Sequence, residues 1–221
     1  VYGHPAVGLS LPESIRARIT PGGGAGWRFP DAPPEERIRL ERLLRRFCRI
    51  IPGLQELPGG EVRLVSGIPS GRGFGSSAAL CAALAAALCA ALGLNGPPQS
   101  VWAYAHEAER LFHGTPSGID TGLALLDGLY LFHPDPPRLP EARRLEGLEL
   151  PLAIGSVARR AEAGRLIQRV RAEMKAGERG TVRRIGELGE IARRAGELLC
   201  GGGERELRLK ELGLLAWQAQ E

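Results

Sequence analysis

The chain has 221 residues, 43% of them hydrophobic, which is enough for one large domain or two small ones with a real core. Its formal charge of +4 is carried by arginines interleaved with glutamates, as in EERIRLERLLRRFCR at 35–49. Such mixed signs mark solvated helix faces, and with only 5% aromatic residues to stack bases, nucleic acid is not an expected partner.

In chain order, residues 1–19 alternate apolar and polar positions and predict strand, turn, strand. Residues 20–34 are rich in Gly and Pro and predict a loop. Apolar Ile38, Leu40, Leu43, Leu44 and Phe47 recur at helical spacing over 34–51, and Pro52-Gly53 ends the pattern. Residues 60–66 (GEVRLVS) alternate as a strand. A glycine-rich loop follows, then a helix over about 76–92 with no charge between Ala78 and Leu94. That helix is too short and too alanine-rich for a membrane span and predicts close packing on both sides. A helix is predicted over 97–112, a loop over 113–120, and a turn-to-strand segment over 121–132 around Asp127-Gly128. The proline-rich 134–140 suggests a domain boundary. Beyond it the pattern predicts a strand at 150–154, helices at 161–175 and 181–199, a break at the glycines 201–203, and a last helix over 205–221.

The four cysteines, Cys48, Cys81, Cys89 and Cys200, have no metal-ligand or CxxC spacing and suit reduced thiols of a cytoplasmic protein. No secretory signal is visible. The chain begins at Val1 and its single methionine is Met174, which suggests a fragment or processed piece.

Two stretches carry chemistry. In SGIPSGRGFGSSAAL (66–80) three glycines within five residues precede two serines and a helix. Glycines admit a tight turn and close backbone approach. A helix start offers free N–H groups and a positive dipole end. The loop lacks the lysine of a Walker A motif, and its glycine spacing does not fit a dinucleotide fingerprint. The residues alone leave an anion cradle and a structural turn equally open. The second stretch is HEAERLFHGTPSGID (106–120), with Glu109 on the helix and Asp120 after the loop. Two carboxylates converging on such a loop could hold Mg²⁺ and accept a hydroxyl proton. Either one taken singly also suits a surface residue or a turn cap.

Together these stretches resemble the GHMP kinases. PSGRGFGSSAA (69–79) is similar to the family's PxxxGLGSSAA with Phe74 for leucine, and AERLFHGTPSGID (108–120) is similar to the GERxxHGxPSGxD of its mevalonate kinase branch, with alanine for the first glycine. VYGHPAV (1–7) resembles the end of that branch's opening motif. The resemblance implies an α+β fold with a ribosomal-protein-like N-terminal ATP-binding domain over 1–140 and a partial ferredoxin-like domain over 141–221. It implies ATP bound by Ser66 and by Gly71, Arg72, Gly73, Phe74, Gly75, Ser76 and Ser77. Ser77 and Glu109 would ligate Mg²⁺, and Asp120 would be the base for the C5 hydroxyl of mevalonate. His113 and Ser117 would shape the loop. No nucleic acid or membrane partner is implied, and a homodimer is the assembly considered.

Three departures qualify this. The family's opening PGKxxLxGEH, with its active-site lysine, has no counterpart, because the only lysines are Lys175 and Lys210. The third, GAGGGG-type motif is absent. PLAIGSVARRAEAG (151–164) resembles a family segment that bears a substrate-side threonine, yet contains none. The expectation is a chain covering the middle of such an enzyme, not active by itself. Another kinase of the superfamily, acting on phosphomevalonate or homoserine, and a non-catalytic degenerate member are the alternatives.

Overall fold

A computed structural model describes residues 2–24, 26–56, 59–136, 138–146, 148–156 and 163–220. Its elements are β1 (Ala6–Leu9), β2 (Ile15–Pro21), β3 (Gly26–Arg28), α1 (Pro34–Ile50), β4 (Gly59–Ser66), α2 (Ser76–Ala91), α3 (Pro98–His113), α4 (Ile119–Leu125), β5 (Leu129–His133), β6 (Glu141–Arg144), α5 (Ala163–Lys175), α6 (Arg179–Cys200) and α7 (Arg205–Gln218). The chain forms two compact units, Leu11–Leu126 and a second one made of Val1–Ser10 with Asp127–Glu221.

The Leu11–Leu126 unit holds a three-stranded sheet in the order β2-β4-β3, with β2 antiparallel and β3 parallel to β4. Proline in the first turn, Glu35 and Glu36 near the N-terminus and Arg49 near the C-terminus all suit α1. Its buried residues are Leu40, Leu43, Leu44 and Phe47, one stripe at i, i+3, i+4 and i+7. Ile38, read from the sequence as part of that stripe, falls outside it and is exposed. The apolar α2 packs against α3, β2 and α4, which explains why it needs no polar face. Leu43, Phe47, Leu84 and Leu88 are fully buried in this core. Burial of side chains of this size is worth about 1.5–3 kcal/mol each. Among the described residues no helix is long and apolar enough to cross a membrane.

The other unit holds the sheet β1-β5-β6, antiparallel throughout. Helix α6 packs on β1 and β5 and also meets α5 and α7. Leu131, Leu145 and Leu199 form one buried cluster there, and Tyr130, Phe132 and Leu215 are buried as well. All four cysteines are free; Cys81 and Cys89 are buried, Cys48 half-buried and Cys200 exposed.

The structure differs from the sequence pattern at several places. The expected loop over 20–34 contains β3, whose three residues are too few to show a period. The segment 113–132 contains a short helix, α4, ahead of its strand. Strand β6 follows the proline-rich connection. Residues 150–154, expected as a strand, join no sheet, and Leu152 and Ile154 are exposed. The helix expected over 161–175 is present from Ala163 to Lys175. Its first two residues, like 157–162 of the 151–164 segment, the start of the 1–19 prediction at Val1 and the end of the last helix at Glu221, lie outside the described residues.

Candidate active site

The glycine loop links the end of β4 to the start of α2. Gly71, Gly73 and Gly75 have φ of 71°, 92° and 66°. Three left-handed residues at alternate positions turn the chain sharply enough for the helix to begin at Ser76 with no side-chain cap. The first backbone bond of α2 runs from the Ala79 N–H to the Gly75 carbonyl at 2.9 Å. The N–H groups of Ser76, Ser77 and Ala78 come before it and have no carbonyl one turn back. Arg72 is exposed, and Phe74, Ser76 and Ser77 are half-buried. The Ser77 Oγ lies 3.0 Å from Nε2 of His113, the last residue of α3.

Ser66 closes β4 and is exposed. Its hydroxyl donates to the Ile68 carbonyl at 3.1 Å and accepts from the Ile68 N–H at 3.2 Å. It therefore shapes the turn into the loop.

Glu109 lies on the inner face of α3, only 2% exposed. Its Oε2 is buried without a hydrogen-bond partner. Burial, with the charge of Asp120 added, pushes its carboxyl up to about 8 from 4.5. The same group acts on Cys81 of α2. Burial first and Glu109 second push that thiol above its usual range, partly offset by Arg39. Asp120, in the first turn of α4, is by contrast exposed. Its Cβ stands 3.9 Å from where a Cβ on Gly75 would lie, so this carboxylate sits against the loop where α2 begins.

The turn that leads into Asp120 is held by side chains of α3 and α4. The Trp102 indole N–H donates to the Gly118 carbonyl at 2.9 Å, and the Thr121 hydroxyl donates to the same oxygen at 3.0 Å. The Ser117 hydroxyl accepts from the Ile119 N–H at 3.3 Å. Gly122 lies directly on the indole: a Cβ there would come within 2.5 Å of Trp102 Cζ2.

Beside the loop is a cleft of about 270 Å³. Ser66, Ile68, Ser70 and Ser76 form its loop side, and Glu36, Arg39 and Leu40 of α1 face it, with Asp31 and Ala32. Ile15, Val62, Leu64 and Leu80 give it an apolar floor. The structure thus brings Ser66, Ser76, Ser77, Glu109 and Asp120 into one unit around the loop. Sequence reasoning missed the α1 wall of this cleft, the lock from Trp102 and Gly122, and the bond from His113 to Ser77. His113 lay inside the motif already singled out, whereas the wall of α1 has no local signal.

The profile of the GHMP kinases N terminal domain matches residues 39–128, a span that holds the loop, Glu109 and Asp120. The mevalonate kinase of Thermococcus sibiricus is 27% identical over 97% of this chain and 69% of its own length. That of Archaeoglobus fulgidus is 36% identical over 66% of this chain and 49% of its own length, so the aligned part is about half of that relative. Among solved structures, L. major mevalonate kinase in complex with R-mevalonate superposes with a TM-score of 0.65 at 22% identity, over 98% of this chain and 70% of its own. The fold is the mixed helix and sheet of GHMP kinase structures.

Proposed function

On the premise that the chain carries a GHMP kinase N-terminal domain, we propose that the protein transfers the γ-phosphoryl group of ATP to the C5 hydroxyl of mevalonate. The observation that carries this reading is the pairing of two unlike carboxylates at the head of α2. One, Glu109, is buried with an unpartnered oxygen, and the other, Asp120, is open to solvent. A buried acid and an exposed one beside the same loop are suited to different tasks.

The phosphates of ATP would lie on the N–H groups of Ser76, Ser77 and Ala78 and in the turn from Gly71 to Gly75. The apolar floor and polar rim of the adjoining cleft suit a nucleoside. A divalent cation fits the residues present. A buried carboxylate oxygen without a partner and a serine hydroxyl are hard oxygen donors, and a cation would offset the desolvation that holds Glu109 at about 8. Glu109 and Ser77 would hold Mg²⁺, which neutralises phosphate charge when bound. Asp120 would accept the proton of the C5 hydroxyl as that oxygen attacks the γ-phosphorus and ADP departs. The braced turn before α4 would keep the carboxylate at the phosphate end, and phosphoryl transfer depends mainly on positioning of this kind.

The test is an assay of the complete protein with Mg²⁺ and ATP against mevalonate, phosphomevalonate and homoserine, with ³¹P NMR of the product. The expected outcome is 5-phosphomevalonate. Phosphorylation of homoserine without phosphorylation of mevalonate would overturn the assignment.

A further inference from the structure

The bond between Ser77 and His113 is not used by the reading above. It joins two half-buried side chains 36 residues apart, at 3.0 Å. His113 ends α3, and its backbone is fixed on the far side: the Gly114 N–H donates to the Arg110 carbonyl at 3.1 Å and the Thr115 N–H to the His113 carbonyl at 2.6 Å. Gly114 turns the chain there with φ of 63°. The imidazole is therefore held against the second residue of α2 by a rigid turn.

A serine hydroxyl has one hydrogen and two lone pairs. As a cation ligand or a phosphate neighbour it is useful through its lone pairs. If Nε2 donated to Ser77, it would occupy one of them and leave the hydroxyl hydrogen facing the cation. If Nε2 accepts, the hydrogen is removed from the site and both lone pairs remain. We propose that His113 is a positioning residue: its Nε2 accepts the Ser77 hydroxyl hydrogen and so presents the Ser77 oxygen to the cation that accompanies ATP. The proposal rests on the phosphate-site reading above. Groups that orient metal ligands in this way typically contribute 10–100-fold to metal affinity.

A purely structural latch between α2 and α3 would act on stability alone, so the test reads nucleotide binding with and without metal. The complete protein is titrated with a fluorescent ATP analogue in Mg²⁺ and in EDTA. Two substitutions differ only in reach: the amide of Gln ends near the Nε2 position, whereas that of Asn ends near Nδ1 and falls short of Ser77. His113→Asn is expected to raise Kd about tenfold in Mg²⁺ and to leave it unchanged in EDTA, and His113→Gln to stay within about threefold of wild type. In a Ser77→Ala background His113→Asn should have no further effect, because the two residues act as one unit. Asn and Gln variants that bind alike, an equal loss in Mg²⁺ and EDTA, or additive effects with Ser77→Ala would each overturn the proposal. Wild-type protein whose nucleotide affinity ignores Mg²⁺ would overturn the phosphate-site reading and this proposal with it. Wild-type dependence that His113→Asn leaves intact overturns this proposal alone.

Discussion

Glu109 makes the stability of the metal-free protein depend on pH in a direction opposite to that of most carboxylates. Its pKa is about 8 in the folded state against 4.5 for the free side chain. Between these values the folded chain keeps a proton that the unfolded chain releases. Stability therefore falls as pH rises, by about 1.4 kcal/mol per pH unit while the difference is a full proton. The contribution is complete below pH 4.5 and is gone above about pH 8. Between pH 6 and pH 8 the loss tapers to a total of about 2 kcal/mol. For a chain of this size that lowers the unfolding midpoint by about 4–8 °C. His106, whose pKa burial and Arg110 hold below 6.5, works the other way and only at the acid end of this range. Comparison with Glu109→Gln cancels it. The assay is thermal unfolding in EDTA at pH 6, 7 and 8 for both proteins. Wild type should lose midpoint temperature across the range and Glu109→Gln should lose much less. Mg²⁺ with ATP at pH 8 should restore wild type and not the variant. Parallel pH profiles for the two proteins would refute the assignment of Glu109 as a buried, protonated acid.

Asp120→Asn should lower turnover by about 10²–10⁴-fold, with the Kd for ATP within about threefold of wild type. Steady-state kinetics and nucleotide titration check it, and near-normal turnover would refute the base role. Gly122→Ala places a methyl within 2.5 Å of Trp102 Cζ2 and should destabilise the Leu11–Leu126 unit by about 1–3 kcal/mol, read by urea unfolding. Gly75→Ala meets no clash closer than the Asp120 Cβ at 3.9 Å but forces alanine to a φ of 66°. It should cost about 1–2 kcal/mol in stability, and nucleotide binding should weaken as the head of α2 shifts. Unchanged binding would argue against the loop as the phosphate site.

The parts of the site legible in the sequence are those encoded by contiguous residues. Glycines spaced before serines and an apolar helix give the loop, and the 108–120 stretch places one acid on a helix and the other just beyond a turn. What the sequence pattern could not show is what each acid faces. Glu109 and Glu107 are two positions apart on α3, yet Glu109 is buried without a partner for one oxygen while Glu107 pairs with Arg46 at 2.9 Å. Only the packing of α3 against both α2 and α1 distinguishes them. The same holds for sheet membership. GWR at 26–28 looks like loop but pairs with β4, whereas the apolar 150–154 has the pattern of a strand and no partner ladder. Strand identity depends on a remote edge that a local period does not report.

The two acids also divide the energetic demands of the site. In the proposed reaction Asp120 would act from an exposed position in the first turn of α4, and the turn before it is held by Trp102 and Thr121. As a metal ligand, Glu109 would need its charge only when a cation is present. Buried and neutral, it is tolerated by the core at neutral pH; ionised without a counterion, it opposes folding. A cation bound at the head of α2, as proposed, would reverse that penalty, and metal affinity and proton release would become one event. A carboxylate with ordinary solvation would bind the same ion without this coupling. On that reading the unpartnered Oε2 is a point of instability in the fold that metal binding would relieve.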